Sequence, residues 1–267
     1  MMLDLTDTGA TPASQDPESL AGAVDLLVNI GCLLIQHGAH AGYVENSLQR
    51  LRSGLDIERI DSVVLLKAIL ITAARHDTRY TRVVRVPVVI VNLNLLSEVE
   101  KLLQRFEPGG MSAGELAAEL ERIAALPPHY SRRVNLAAVG LGCAAFCHLF
   151  GGDPAAMAVT GVAATVAAWV RIMLNHWQIN YFLVVLLTAL TASLLAGNAI
   201  WISQTPQSAL TAAVILLVPG TPLINASIDL LHGHIFSGMA RIMISLVIFL
   251  GIAVGLGIAV QVLRVSL

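Results

Sequence analysis

The chain has 267 residues, 56% of them hydrophobic and only 13% charged, where a soluble domain carries roughly 25% charged residues. A net charge of −2 with no basic block excludes a nucleic-acid partner. Charge is also unevenly spread: beyond Arg133 only Asp153, Arg171, Asp229, Arg241 and Arg264 are charged, and Ile172 to Ile228 holds no formal charge. A charged side chain at mid-bilayer costs roughly 2.5–3.5 kcal/mol, so the two halves are suited to different solvents, water in front and lipid behind.

In chain order, residues 1–19 are polar and lack Lys and Arg; with neither a basic start nor an apolar core they read as a disordered tail and not a secretory signal. Val24, Leu27, Val28, Gly31, Leu34 and Ile35 recur at helical spacing, predicting an amphipathic helix that ends at His37-Gly38. A second helix places Val44, Leu48 and Leu51 on one face and closes at Gly54. Ile57 to Ala74 and the β-branched run Thr81 to Val86 flank a polar turn at Arg75-His76-Asp77-Thr78 and predict a hairpin. A helix follows over Asn92 to Phe106, ended by Pro108-Gly109-Gly110. Ser112 and Glu115 form a capping box for another helix that stops before Pro127-Pro128. These elements define an α+β domain over 20–130, long enough for its own core.

Residues 131–267 read as a transmembrane domain. A span needs about 20 apolar residues, and five can be marked, at about Val134–Phe150, Pro154–Leu174, Ile179–Ala199, Ser208–Ile224 and Ile242–Leu263. Asp153-Pro154 is an N-cap followed by a first-turn proline. Arg132, Arg133, Arg171 and Arg241 fall on one side of such a bundle, which places the α+β domain and the N-terminus in the cytoplasm and the C-terminus outside; Arg264 alone opposes this. Gly251 and Gly255 have the spacing that lets helices approach closely in lipid, within the chain or against another subunit. Cys143 and Cys147 lie one turn apart and read as small buried hydrophobes; with His148 they lack a second ligand pair at zinc-site spacing. No metal or cofactor is expected.

The most informative stretch is Val218-Pro219-Gly220-Thr221-Pro222, followed by Asn225, Asp229, His232 and His234. Two prolines and a glycine at the end of an apolar run should break the helix. Such breaks at membrane depth are tolerated in protein or around a watery cavity, where transporters aim helix ends at anions; the same residues also suit a plain turn. Asn225 and Asp229, four apart, share a helix face. Arg171 can hold a carboxylate through its two-pronged guanidinium or serve as an interfacial cation. His232 and His234 would diverge on a helix, which disfavours a metal site, and can titrate near neutral pH.

Two of these strings carry a resemblance. Leu33-Leu34-Ile35-Gln36-His37-Gly38-Ala39 with Val44-Glu45, and Leu217-Val218-Pro219-Gly220-Thr221-Pro222-Leu223-Ile224-Asn225 with Asp229-Leu230, resemble the two motifs of the threonine/serine exporter family. The resemblance implies efflux of small polar metabolites across the bacterial inner membrane. It also implies the split form, in which a second small membrane protein supplies the remaining hydrophobic module, associated with dicarboxylates such as succinate. It marks Gly38, Glu45, Pro219, Gly220, Asn225 and Asp229. His234 stands where the family often has an acid. Pro219, Gly220, Pro222, Asn225, Asp229 and Arg171 are the residues expected at a substrate or gating site, Gly38 and Glu45 are motif residues of the cytoplasmic domain, and a threonine/serine exporter is the alternative. The lipid bilayer and further subunits are the other expected partners.

Two other classes compete. A membrane-tethered hydrolase would draw on His37, His40, Glu45, His76 and Asp77, but the chain has no nucleophile elbow, phosphate loop or H-E-x-x-H motif. A scaffold would use the spans only to assemble. The absence of a nucleotide-binding motif points to a gradient-driven process, and the protein is not expected to be an enzyme.

Overall fold

The computed structural model describes residues 19–87, 90–106, 110–127 and 129–263. The expected tail, apart from Ser19, lies outside these residues, as do Pro108-Gly109, Pro128 and Arg264. The described chain divides into two compact units, Met1–Pro127 with Thr221–Ile242, and Pro128–Gly220 with Met243–Leu267.

In the first unit α1 (Leu20–Gln36) starts at an Ser19 N-cap that accepts the Gly22 N–H and buries Val24, Leu27, Ile30, Leu34 and Ile35. After α2 (Ala41–Leu51) come β1 (Arg59–Leu65), β2 (Ala68–Arg75) and β3 (Thr78–Arg85), an antiparallel sheet in sequence order. The register sets Ile60 opposite Ala73 and Val64 opposite Ile69, so alternate side chains point into one core. The gap at Gly31 admits the sheet: a Cβ there would lie 2.8 Å from the Ile69 side chain.

The apolar run expected to be one arm of a single hairpin is itself folded in two. The chain reverses at Leu66-Lys67, a turn without Gly, Pro, Asn or Asp to announce it, and again at His76-Asp77, where His76 takes φ 52°. Helices α3 (Leu93–Phe106) and α4 (Ala113–Ala124) close the core with Val99, Leu102, Phe106, Leu116 and Ile123. The capping box is formed: Ser112 Oγ accepts the Glu115 N–H, and Glu115 accepts the Ser112 N–H at 2.8 Å. α9 (Gly220–Leu231) from Thr221 onward and α10 (Ile235–Leu263) as far as Ile242 also belong to this unit.

The second unit is helical. It holds α5 (Arg132–Leu149), α6 (Pro154–His176), α7 (Tyr181–Gly197), α8 (Pro206–Ala213) and the rest of α10. Its core is built from small side chains, among them Ala163, Ala167, Ala189, Ala192, Ala196 and Ala213, which let helices close without a hydrophobic drive between them. The buried hydroxyls of Thr160 and Thr188 return to carbonyls in their own helices, at 2.8 and 2.6 Å. Asp153 caps α6 through the Ala156 N–H and also accepts from Gln204 N–H and Ser203 Oγ, which ties the α5–α6 turn to the segment before α8.

Three helices are long and apolar enough to cross a membrane: Pro154–His176, Tyr181–Trp201 and Ile235–Leu263. Pro206–Leu217 and Gly220–Leu231 qualify only as a broken pair. Among the described residues there are thus three or four candidate spans, fewer than the five expected. The expected first span fails because all 18 residues of α5 are needed for its length, and these include Arg132, Arg133, Asn135 and His148. Pro206–Leu217 alone is about 18 Å long at roughly 1.5 Å per residue, well short of a bilayer core of about 30 Å.

Gly251 and Gly255 both face α7. A Cβ at Gly255 would lie 2.6 Å from the Leu186 carbonyl, whereas one at Gly257 would meet nothing. Overpacking costs about 1–3 kcal/mol, so Gly255→Val is expected to lower the thermal unfolding midpoint in detergent, with Gly257→Ala unchanged.

Candidate functional site

The link between α1 and α2 is four residues, His37-Gly38-Ala39-His40, and most of its backbone polar groups face inward. Gly38 supplies a φ of +102°, a left-handed conformation that is cheap only for glycine. The groups thus exposed are met from α9 and α10. Asn225 Nδ2 donates to the Gly38 carbonyl at 2.6 Å, and Arg241 Nη2 donates to the Ala39 carbonyl at 2.7 Å. The Ala41 N–H, an unpaired donor at the start of α2, donates to Asp229 Oδ1 at 2.7 Å. Arg241 Nε donates to Asp229 Oδ2 at 3.0 Å. Asp229 is 0% and Arg241 4% exposed. A buried charge persists only when it is paired and its remaining hydrogen-bonding capacity used; here each carboxylate oxygen has its own donor, and the α2 N-terminus adds a favourable dipole.

Around this pair lies a ring of titratable groups. His40 is the N-cap of α2, its Nδ1 accepting the Tyr43 N–H at 3.1 Å. Its ring stacks beside that of His232, centroids 6.4 Å apart. His234 Nε2 lies 3.5 Å from Glu45 Oε2, and Gly42 leaves room for it, since a Cβ there would approach Nε2 to 3.2 Å. Burial lowers the pKa of His40 against the opposing pull of Asp229, and burial also lowers that of His37, whose Nδ1 contacts the Ile90 carbonyl. The Tyr43 hydroxyl donates to Glu100, which Arg50 also pairs at 3.1 Å; burial, then Glu100, raises the phenol pKa.

The structure therefore gathers Gly38, Glu45, Asn225 and Asp229 into one place in the first unit. Sequence reasoning counted Arg241 as an orientation signal, whereas it is the buried counter-ion of Asp229. A signal was present: an acid in so apolar a segment needs a cation, and few remain beyond Arg133. Pro219, Gly220 and Pro222 lie where the chain passes between the units. The helical path stops at Leu217, Val218-Pro219 breaks it, and α9 starts at Gly220 with Pro222 in its first turn.

Arg171 lies in the second unit, on the wall of an open hollow of about 590 Å³ between α5, α6 and the turn Ile215–Leu217. Asn135 and Asn175 line it beside Arg171, and Val139, Phe146, Ile172 and Leu216 make it apolar. Among the described residues Arg171 has no carboxylate or hydrogen-bond partner. Asp153, the one acid of this unit, is occupied as the α6 cap. Among the described residues no three His, Cys, Asp or Glu side chains are placed to hold a metal ion.

Apolar helices of spanning length are those of a multi-pass membrane protein. The chain belongs to the threonine/serine exporter family: the family described as "Putative threonine/serine exporter" matches residues 25–263. It is 31% identical over 237 residues to the "Probable succinate transporter subunit YjjP" of Klebsiella aerogenes, covering 88% of this chain and 91% of that one. It is also 31% identical over 244 residues to the protein of that name from Escherichia coli K12, covering 89% and 93%. A "Probable threonine/serine exporter" of Mycobacterium tuberculosis is 22% identical over 241 residues, which are 89% of this chain and 46% of that protein. No solved structure matches the chain.

Asp229→Asn leaves Arg241 buried without its counter-charge and is expected to destabilise the protein by about 3–5 kcal/mol. Combining it with Arg241→Gln should recover part of the loss. Unfolding of the purified single and double variants in detergent checks both.

Proposed function

We propose that this chain is one subunit of a secondary exporter for small dicarboxylates such as succinate in the bacterial inner membrane, working with a second small membrane protein. The observation that carries this reading is Arg171. A guanidinium in an apolar hollow without an acid partner is matched in charge and shape by a carboxylate, and Asn135 and Asn175 add donors beside it. An exported amino acid would also need an acid for its ammonium group. Asp153 is used as a helix cap and Asp229 is sealed against Arg241, so this chain supports a dicarboxylate over threonine or serine.

The word "subunit" in the relatives' names, and a longer relative of which this chain matches less than half, support a partner that supplies a further hydrophobic module. The hollow is open on one side, as expected of a site completed by another helix. A cytoplasmic first unit belongs to this reading with α5 counted as a crossing, which sets Arg132, Arg133 and Arg171 on one side; Arg241 no longer counts toward orientation. Asn225 and Asp229 act on this reading as gating residues: they hold the α1–α2 link and do not touch substrate. Pro219, Gly220 and Pro222 supply the bend where the chain leaves the spans, and Gly38 and Glu45 belong to the held link.

Losing a charged hydrogen bond costs about 1.5–3 kcal/mol, so Arg171→Gln is expected to lower succinate efflux about tenfold or more at an unchanged protein level in the membrane. Metabolite profiling of the medium reads this; unchanged efflux would remove Arg171 from the substrate path.

A further inference from the structure

The ring around the Asp229–Arg241 pair contains more titratable groups than holding a turn requires. We propose that His40, His232, His234 and Glu45 form a proton-binding site that unfastens the start of α2 from α9 and α10 when the pH on its side of the membrane falls. The bearing on transport rests on the exporter reading above; the proton site itself does not.

The chemistry follows from which nitrogen is used. His40 caps α2 by accepting the Tyr43 N–H through Nδ1. A neutral imidazole can accept there, but an imidazolium has a proton on both nitrogens and can only donate. Protonation therefore abolishes the cap and turns Nδ1–H toward another N–H. The same event places a new positive charge beside its neighbours. His40 is faced by Tyr43 from α2, by Asp229 from α9, by His232 and His234 from the α9–α10 turn, and by Arg241 from α10, with Glu45 of α2 against His234. Asp229 attracts the new cation, but burial outweighs that pull, and His232, Arg241 and His234 oppose it as well.

Two features prepare the other histidines. His232 Nδ1 lies 2.8 Å from the Ile228 carbonyl and donates to it, which leaves Nε2 as the atom that takes a proton. His234 Nε2 faces Glu45 at 3.5 Å, and a proton there creates an ion pair. Protonation of His40 opposes the cap beside the buried pair, while Glu45 and His234 meet five residues farther along α2.

The direction of the pH effect follows from the burial of His40. Its folded-state pKa lies below the ordinary 6.5, with desolvation the main cause and His232, Arg241 and His234 acting the same way. The folded arrangement therefore favours the neutral ring. Its contribution is complete above about pH 6.5 and is lost as pH falls through the folded value.

Hydrogen exchange of the whole chain in lipid nanodiscs, corrected for intrinsic rates, tests this without reference to transport. The amides of Ala41 to Val44 are expected to be protected at pH 7.5 and to exchange about fivefold faster at pH 5.5, the factor that losing an N-cap of about 1 kcal/mol supplies. His40→Asn, whose amide oxygen accepts the Tyr43 N–H at either pH, is expected to remain protected at both. His232→Gln, at an exposed position, removes one opposing charge and should move the wild-type step to higher pH. A wild-type segment equally protected at both pH values, a His40→Asn variant with the wild-type step, or an unmoved midpoint in His232→Gln would overturn the proposal.

Discussion

A carboxylate and a guanidinium closed off from water must hold each other, and whatever they touch is held with them. Asp229 and Arg241 lie on consecutive helices joined by the short turn Leu231–Ile235, and between them they grip the start of α2 and the carbonyl of Ala39. Asn225 adds the carbonyl of Gly38. The result is that a segment near the N-terminus and one nearly two hundred residues later form a single structural element. The buried pair is weak evidence for stability as such, since a well-packed apolar pair can do as well. In this placement of the α1–α2 link the carbonyls of Gly38 and Ala39 and the N–H of Ala41 each have a buried partner.

This explains the character of the first unit. Its core is an ordinary α+β core of leucines, isoleucines and valines around a three-stranded sheet, while the polar work is confined to the link and the helices that meet it. The second unit follows different rules. Its helices close through alanine and glycine, the buried hydroxyls of Thr160 and Thr188 turn back on their own backbones, and its one acid serves as a cap. There Arg171 and two asparagines line an apolar hollow, and the proposed dicarboxylate site rests on that lining.

Much of this was legible in the sequence. Helical spacing placed α1 and α2, the breaker Pro108-Gly109-Gly110 ended the stretch that forms α3, and Ser112 with Glu115 announced α4 and the capping box that forms. Asn225 and Asp229 share a face, as their spacing required, and the helix breaks at Val218-Pro219. The second hairpin turn was hidden because Leu66-Lys67 has no turn chemistry and interrupts no apolar run. Of the five marked spans, three or four are matched by helices of spanning length and apolarity among the described residues, because apolarity was judged over stretches whose helices are shorter or more polar, α5 and Pro206–Leu217 above all. The grip on the α1–α2 link was beyond reach of local patterns, since Ala41 and Asp229 are separated by most of the chain. Arg241 was visible as a charge, but its place near a span end suggested a loop residue. Only folding the chain shows that it faces an acid.

The central claim is that this chain, with its partner subunit, carries dicarboxylates out across the membrane. The most direct measurement is efflux from liposomes containing both subunits and loaded with labelled succinate or labelled threonine. Rapid loss of succinate with threonine retained is the predicted result. Retention of succinate, or faster loss of threonine, would contradict it.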